Sequence, residues 1–129
     1  MTLVMSVDPI EYATNWLEGL KTRVPDIADY TIGGTQLKPG VTPEKHIRVM
    51  VVGNQDYQRV GDRVSLRFQV WRSGTEKART AIANQLLAHT RASLGGRKEA
   101  GPFSVPDQAD PTKHLSQFEV SILLIGAQA

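Results

Sequence analysis

Three histidines, His46, His89 and His114, are the side chains of this sequence best suited to acid–base work or metal binding, and they lie far apart with no cysteine among them. None stands at the short spacing that places two ligands on one face of a helix, and without thiolates the supply of zinc ligands is thin. The absence of cysteine also excludes disulfides and thiol nucleophiles. Serine, threonine and lysine are present, but no nucleophile elbow frames any of them. Gly33-Gly34 and Gly95-Gly96 do not join a strand to a helix with the lysine or third glycine that a phosphate loop or dinucleotide fingerprint requires, so they read as turn and helix-stop glycines. Asp8 and Asp110 each precede a proline and read as a cap and a turn starter, not as a general acid and base. No catalytic residue, metal ligand or cofactor site emerges, and the chain is expected not to be an enzyme and to need no cofactor.

Binding chemistry is better represented. Arg48, Arg63 and Arg67 are expected on the outward side of neighbouring strands, where Tyr57 and Trp71 would be able to stack bases. Aromatic residues make up only 6% of the chain, however, and Glu119 is expected on the same face, where cross-strand pairing with Arg48 or Arg67 is the simpler reading.

The elements that position these groups follow from hydrophobic spacing. Asp8 caps a first helix, Pro9 suits its first position, and Ile10, Ala13, Trp16, Leu17 and Leu20 form one buried stripe anchored by Trp16. Residues 23–46 turn to Pro, Gly, Asp and Thr and read as a long loop with a short extended piece around residues 30–32. A strand follows over "HIRVMVV", with Ile47, Val49 and Val51 on one face and Arg48, Met50 and Val52 on the other. Residues 53–62 make an exposed hairpin tip. The next strand alternates strictly, with Val64, Leu66, Phe68 and Val70 inward and Arg63, Ser65, Arg67, Gln69 and Trp71 outward. A second helix over residues 75–96 is capped by Ser73 or Thr75, ends at Gly95 and buries Ala78, Ala81, Ile82 and Leu86. "PFSVP" reads as a short strand, and a longer one carries Phe118, Val120, Ile122 and Leu124 on one face and Gln117, Glu119, Ser121, Leu123 and Ile125 on the other.

The expected architecture is therefore α+β: a four-stranded, mainly antiparallel sheet with two helices on one face, in the order α-β-β-α-β-β. The 129 residues suffice for a single domain spanning residues 1–129. No apolar run approaches the roughly 18 residues that span a bilayer, so no membrane partner is expected. Met50, Val52, Leu123 and Ile125 make the outer face apolar at one end, and a neighbouring subunit is the expected cover. Charge is unevenly placed. Residues 1–30 carry two cations against five carboxylates, residues 31–98 twelve against four, and residues 99–129 one against four. Such blocks suit nucleic acid nearby, complementary surfaces between copies of one chain, or simply a solvated, charge-mixed surface.

Three stretches, "DPIE" with Trp16 in the first helix, "DRVSLRFQVW" before the alanine-rich helix, and the late "SQFEVSILLIG", together resemble tail terminator proteins of long-tailed (siphovirus) bacteriophages, especially those of actinobacteria. The resemblance spans nearly the whole chain. It implies a virion structural protein, assembled in the host cytoplasm and located at the head–tail interface. It further implies a homo-hexameric ring that caps the tail tube, stops its polymerisation and offers the head-docking surface. The implied partners are further copies of the chain, the tail tube protein and a head-completion or connector protein, with DNA passing through the ring channel without sequence-specific binding. The residues expected at subunit or partner contacts are Met50, Val52, Tyr57, Arg59, Arg63, Arg67, Trp71, Leu123 and Ile125. Another head-to-tail joining protein (head closure or connector), or a small nucleic-acid-binding module, are the alternatives.

Overall fold

The computed structural model describes residues 8–35, 42–52, 63–108 and 110–124. Helix α1 runs over Pro9–Leu20. The Asp8 carboxylate accepts from the backbone N–H groups of Ile10 and Glu11 at 3.0 and 3.3 Å, satisfying two of the donors that a helix start leaves open. A single 3-10 turn, Pro25–Ile27, leads into β1, Thr31–Gly33. Then come β2 (Lys45–Val51), β3 (Arg63–Arg72), helix α2 (Glu76–Ser93), β4 (Arg97–Pro106) and β5 (His114–Leu123). Thr75 caps α2 by accepting from the N–H of Ala78 at 3.1 Å, and Gly95 just past its end takes the left-handed φ of +61°.

The strands form one five-stranded sheet in the order β1-β2-β3-β5-β4. This corrects the expected four-stranded antiparallel sheet: β1 pairs with β2 in parallel, so the sheet is mixed and the element order gains a strand before the first hairpin. Three residues are too few to display a period of two, which is why the extended piece near residue 31 gives no strand signal in the sequence. Tertiary contacts hold it there. The Thr31 hydroxyl donates to the Lys45 carbonyl at 3.2 Å and lies 2.6 Å from Nδ1 of His46.

The second difference is β4, which begins at Arg97 and not at "PFSVP". As the edge strand it exposes Arg97, Lys98 and Glu99, a polar run with no apolar alternation to betray it. Its register on β5 shifts between Lys98 and Ala100 and again between Ala100 and Phe103. Gly101 sits in the second shift with φ +78°, where an added Cβ would lie 2.4 Å from the Gln117 carbonyl oxygen, so only glycine fits.

Both helices cover one face of the sheet. α1 packs on β1 and β2, and α2 on β3, β4 and β5. Between them Ala13, Leu17, Leu20, Ile82, Ala83, Leu86 and Leu87 join Ile47, Val49, Leu66, Phe68, Val70, Phe118, Val120 and Ile122 in a single core. Phe68 and Phe118 stack across β3 and β5 at 4.9 Å with planes 4° apart. The strand alternation thus falls on the faces that the spacing predicts. The helix stripes hold at Ala13, Leu17, Leu20, Ile82 and Leu86, which are buried, but Trp16 is half-buried at the core margin, Ala81 is exposed, and Arg79 and Thr90 turn inward.

Candidate functional site

Alternation in β2, β3 and β5 leaves the sheet's other face to His46, Arg48, Met50, Arg63, Ser65, Arg67, Gln69, Trp71, Leu115, Gln117, Glu119, Ser121 and Leu123. No helix covers it. The face divides into a closed end, a polar middle and an open end.

At the closed end Trp71 is 3% exposed, covered by the chain itself. Its indole N–H donates to Oδ2 of Asp107 at 3.1 Å, and Thr42 donates to the same oxygen at 3.0 Å. His46 lies opposite Trp71 in the register, with ring centroids 5.6 Å apart. Burial lowers the His46 pKa, the Arg48 charge adds to that, and hydrogen bonding at Thr31 opposes it. Trp71 thus anchors two loops onto the sheet, and little of its side chain is left for a partner to cover. The sequence could not reveal this, because Asp107 reaches it from 36 residues away.

In the middle, Nε2 of Gln69 donates to Oε1 of Gln117 at 3.1 Å. Arg48 flanks Gln69 in the register, and Phe103 flanks Gln117 from β4. Phe103 is 43% exposed, the one large apolar side chain so open among the described residues. Nε of Arg48, Nε of Arg67 and Oε1 of Gln69 are sheltered from solvent without a hydrogen-bond partner among the described residues. Burial also lowers the pKa of Arg48.

The open end gathers five of the residues singled out in the sequence. Met50, Arg67 and Glu119 share one register row, with Nη2 of Arg67 3.6 Å from Oε2 of Glu119, so the expected cross-strand pair is present. Val52 donates from its backbone to Ser65. Arg63 faces Leu123 in the register and donates from Nη1 to the carbonyls of Gly95 and Ser121 at 3.1 and 3.3 Å. Among the described residues Arg63 thereby bonds neutral acceptors and no carboxylate. Met50, Val52 and Leu123 are each half-buried. Trp71 lies at the opposite end of the same face, so the structure separates it from the other five. Tyr57, Arg59 and Ile125, with the hairpin tip over residues 53–62, lie outside the described residues.

Among the described residues no group of three or more His, Asp or Glu side chains is placed to hold a metal ion, and no helix is long and apolar enough to cross a membrane. What the outer face offers is surface: half-buried apolar side chains beside arginines and glutamines with unused hydrogen-bonding capacity. Compared with protein-family models, with curated proteins and with solved structures, the chain matches none.

Proposed function

We propose that the chain is a structural subunit of a long-tailed bacteriophage, assembling as a hexameric ring that caps the tail tube, halts its polymerisation and presents the surface on which the head docks. The observation that carries this reading is the open end of the outer face. Met50, Val52 and Leu123 are half-buried beside Arg67 and Glu119, with sheltered polar atoms of Arg48, Arg67 and Gln69 unmatched along the same sheet. Sheltered polar atoms without partners are uncommon in a finished surface, and a second chain supplies such partners. The uneven charge blocks support a head-to-tail contact, in which unlike surfaces of one chain meet and a ring closes. The resemblance in "DRVSLRFQVW" and "SQFEVSILLIG" supplies the identity of the ring.

Native mass measurement and small-angle scattering test this directly. A hexamer is expected, alone or with tail tube protein, and a strict monomer in both settings would overturn the reading. Leu123→Asp is expected to abolish assembly while the monomer keeps its cooperative unfolding, because Leu123 is half-buried at the end of the sheet and faces Arg63 in the register. Binding to a portal-side protein in place of the tube protein would reassign the chain to head closure.

A further inference from the structure

A cleft of about 810 Å³ opens at the end of the sheet where α2 begins, between the stretch at residues 42–44, the β3–α2 turn and residues 112–114. Trp71, Arg72, Arg79, Lys113, Glu44 and Glu76 are among its walls. Arg79 is the unusual member. It is 6% exposed, projects from the first turns of α2, and among the described residues donates to neutral acceptors: from Nε to the Ser116 hydroxyl at 2.9 Å, from Nη1 to the His114 carbonyl at 3.0 Å, and from Nη2 to the Ser104 hydroxyl at 2.9 Å. The ion pairs among the described residues, Lys21–Glu18, Lys45–Asp29 and Arg67–Glu119, leave it out. Neutral acceptors satisfy hydrogen bonds but not the charge, and the positive end of the α2 dipole lies close by.

A guanidinium has five N–H groups, of which three are used here, so Nη1 and Nη2 each retain one. Either can donate to a carboxylate oxygen, and a hydrogen bond from a cation to an anion is stronger than one to a neutral acceptor. Arg72 adds a sheltered Nε without a partner among the described residues, and Lys113 adds an exposed ammonium. Against these three cations stand Glu44 and Glu76, both exposed at the walls, which leaves one net positive charge. A single carboxylate balances that charge, whereas a phosphate dianion would overshoot it beside two glutamates.

We propose that this cleft is a carboxylate-binding site with Arg79 as its receiving group. The site is separate from the open end of the face and holds whether or not the chain forms rings. The carboxylate has two sources, a free organic acid or an acidic side chain carried by another polypeptide, and two probes separate them. The full chain, labelled with nitrogen-15, is titrated with sodium acetate, with the capped tripeptide acetyl-Ala-Asp-Ala-amide and with inorganic phosphate, all at constant ionic strength. Saturable shifts of the Trp71 Nε1–H and Arg79 Nε–H signals are expected with acetate and peptide, and weaker ones with phosphate. Peptide binding at least tenfold tighter than acetate identifies a polypeptide source, and equal affinities a free acid. Arg79→Gln keeps a hydrogen-bonding amide but removes the charge, and is expected to weaken binding at least tenfold. Should that variant fail to fold, two exposed positions decide: Lys113→Glu is expected to weaken binding severalfold and Glu76→Gln to strengthen it. The proposal is overturned if no saturable shift occurs at those two signals, if phosphate binds tightest, or if the variants bind as the parent does.

Discussion

The two ends of the outer face carry the same kind of strand pattern and meet opposite fates. At one end Trp71, Leu115 and Asp107 are each 3% exposed, because residues of this same chain fold over them. At the other end Met50, Val52 and Leu123 stay half-buried, with no helix above them among the described residues. Alternation decides which side chains leave the core face, but it is silent on what arrives to cover them. The closed end shows that a loop does so when it supplies an acceptor for a buried donor, as Asp107 does for the indole N–H. The open end has arginines and apolar residues but no such loop among the described residues, which is why it, and not the aromatic end, is the better candidate for contact with another chain.

The largest effect is expected where both comparisons have their base, on the helix-covered face. Phe118→Ala removes a fully buried ring stacked on Phe68 and should cost about 3–5 kcal/mol in urea unfolding. A loss below about 1 kcal/mol would mean that the inner face is not the core. Next comes Trp71→Phe, which keeps an aromatic ring but leaves the Asp107 carboxylate with Thr42 as its described donor. About 1–3 kcal/mol of stability should be lost by the same measurement, with assembly unchanged. The comparison of the two ends would break if Trp71→Phe blocked assembly at unaltered stability while Leu123→Asp assembled normally.

These effects also mark how far the sequence could be read. The inner residues of β2, β3 and β5 were legible because a period of two over seven to ten residues is hard to produce by chance. β1 was not, since three residues carry no period, and its place in the sheet depends on Thr31 meeting His46 and Lys45. Of the contact residues expected from the sequence, those at the open end do share one face, whereas Trp71 was assigned by alternation to a surface that a distant carboxylate then covers. Arg79 was legible only as one more cation in a basic stretch. Its burial depends on serines in two different strands, Ser104 and Ser116, whose registers no local pattern announces.

A smaller, pH-dependent effect sharpens the closed end further. Burial foremost, together with the Arg48 charge, holds the His46 pKa below its ordinary value of 6.5, so the folded state prefers the neutral ring. A base whose folded pKa is lowered contributes its full stability above the unfolded value and loses it as the pH falls below about 6.5 toward the folded value. Stability should therefore decline on acidification through that window, and His46→Gln should remove the part of the decline that belongs to this ring. Parent and variant curves of equal slope would show that the His46 ring is solvated, and with it that the closed end is open.

The smallest effect is expected at the open end, from the Arg67–Glu119 pair. Its N···O separation is 3.6 Å and both side chains are partly exposed, at 33% and 20%, so solvent screens the attraction and the two long side chains lose freedom in holding it. A double-mutant cycle with Arg67→Gln and Glu119→Gln should give a coupling of about 0.2–1 kcal/mol in the isolated monomer, fading as salt is added. In an assembled ring the same cycle becomes informative in a different way. If a neighbouring chain covers this face, water leaves the pair, the screening falls, and the coupling measured on assembly stability should exceed the monomer value and resist salt. Equal coupling in both states would leave Arg67 and Glu119 on a solvated surface and move the subunit contact elsewhere on the molecule.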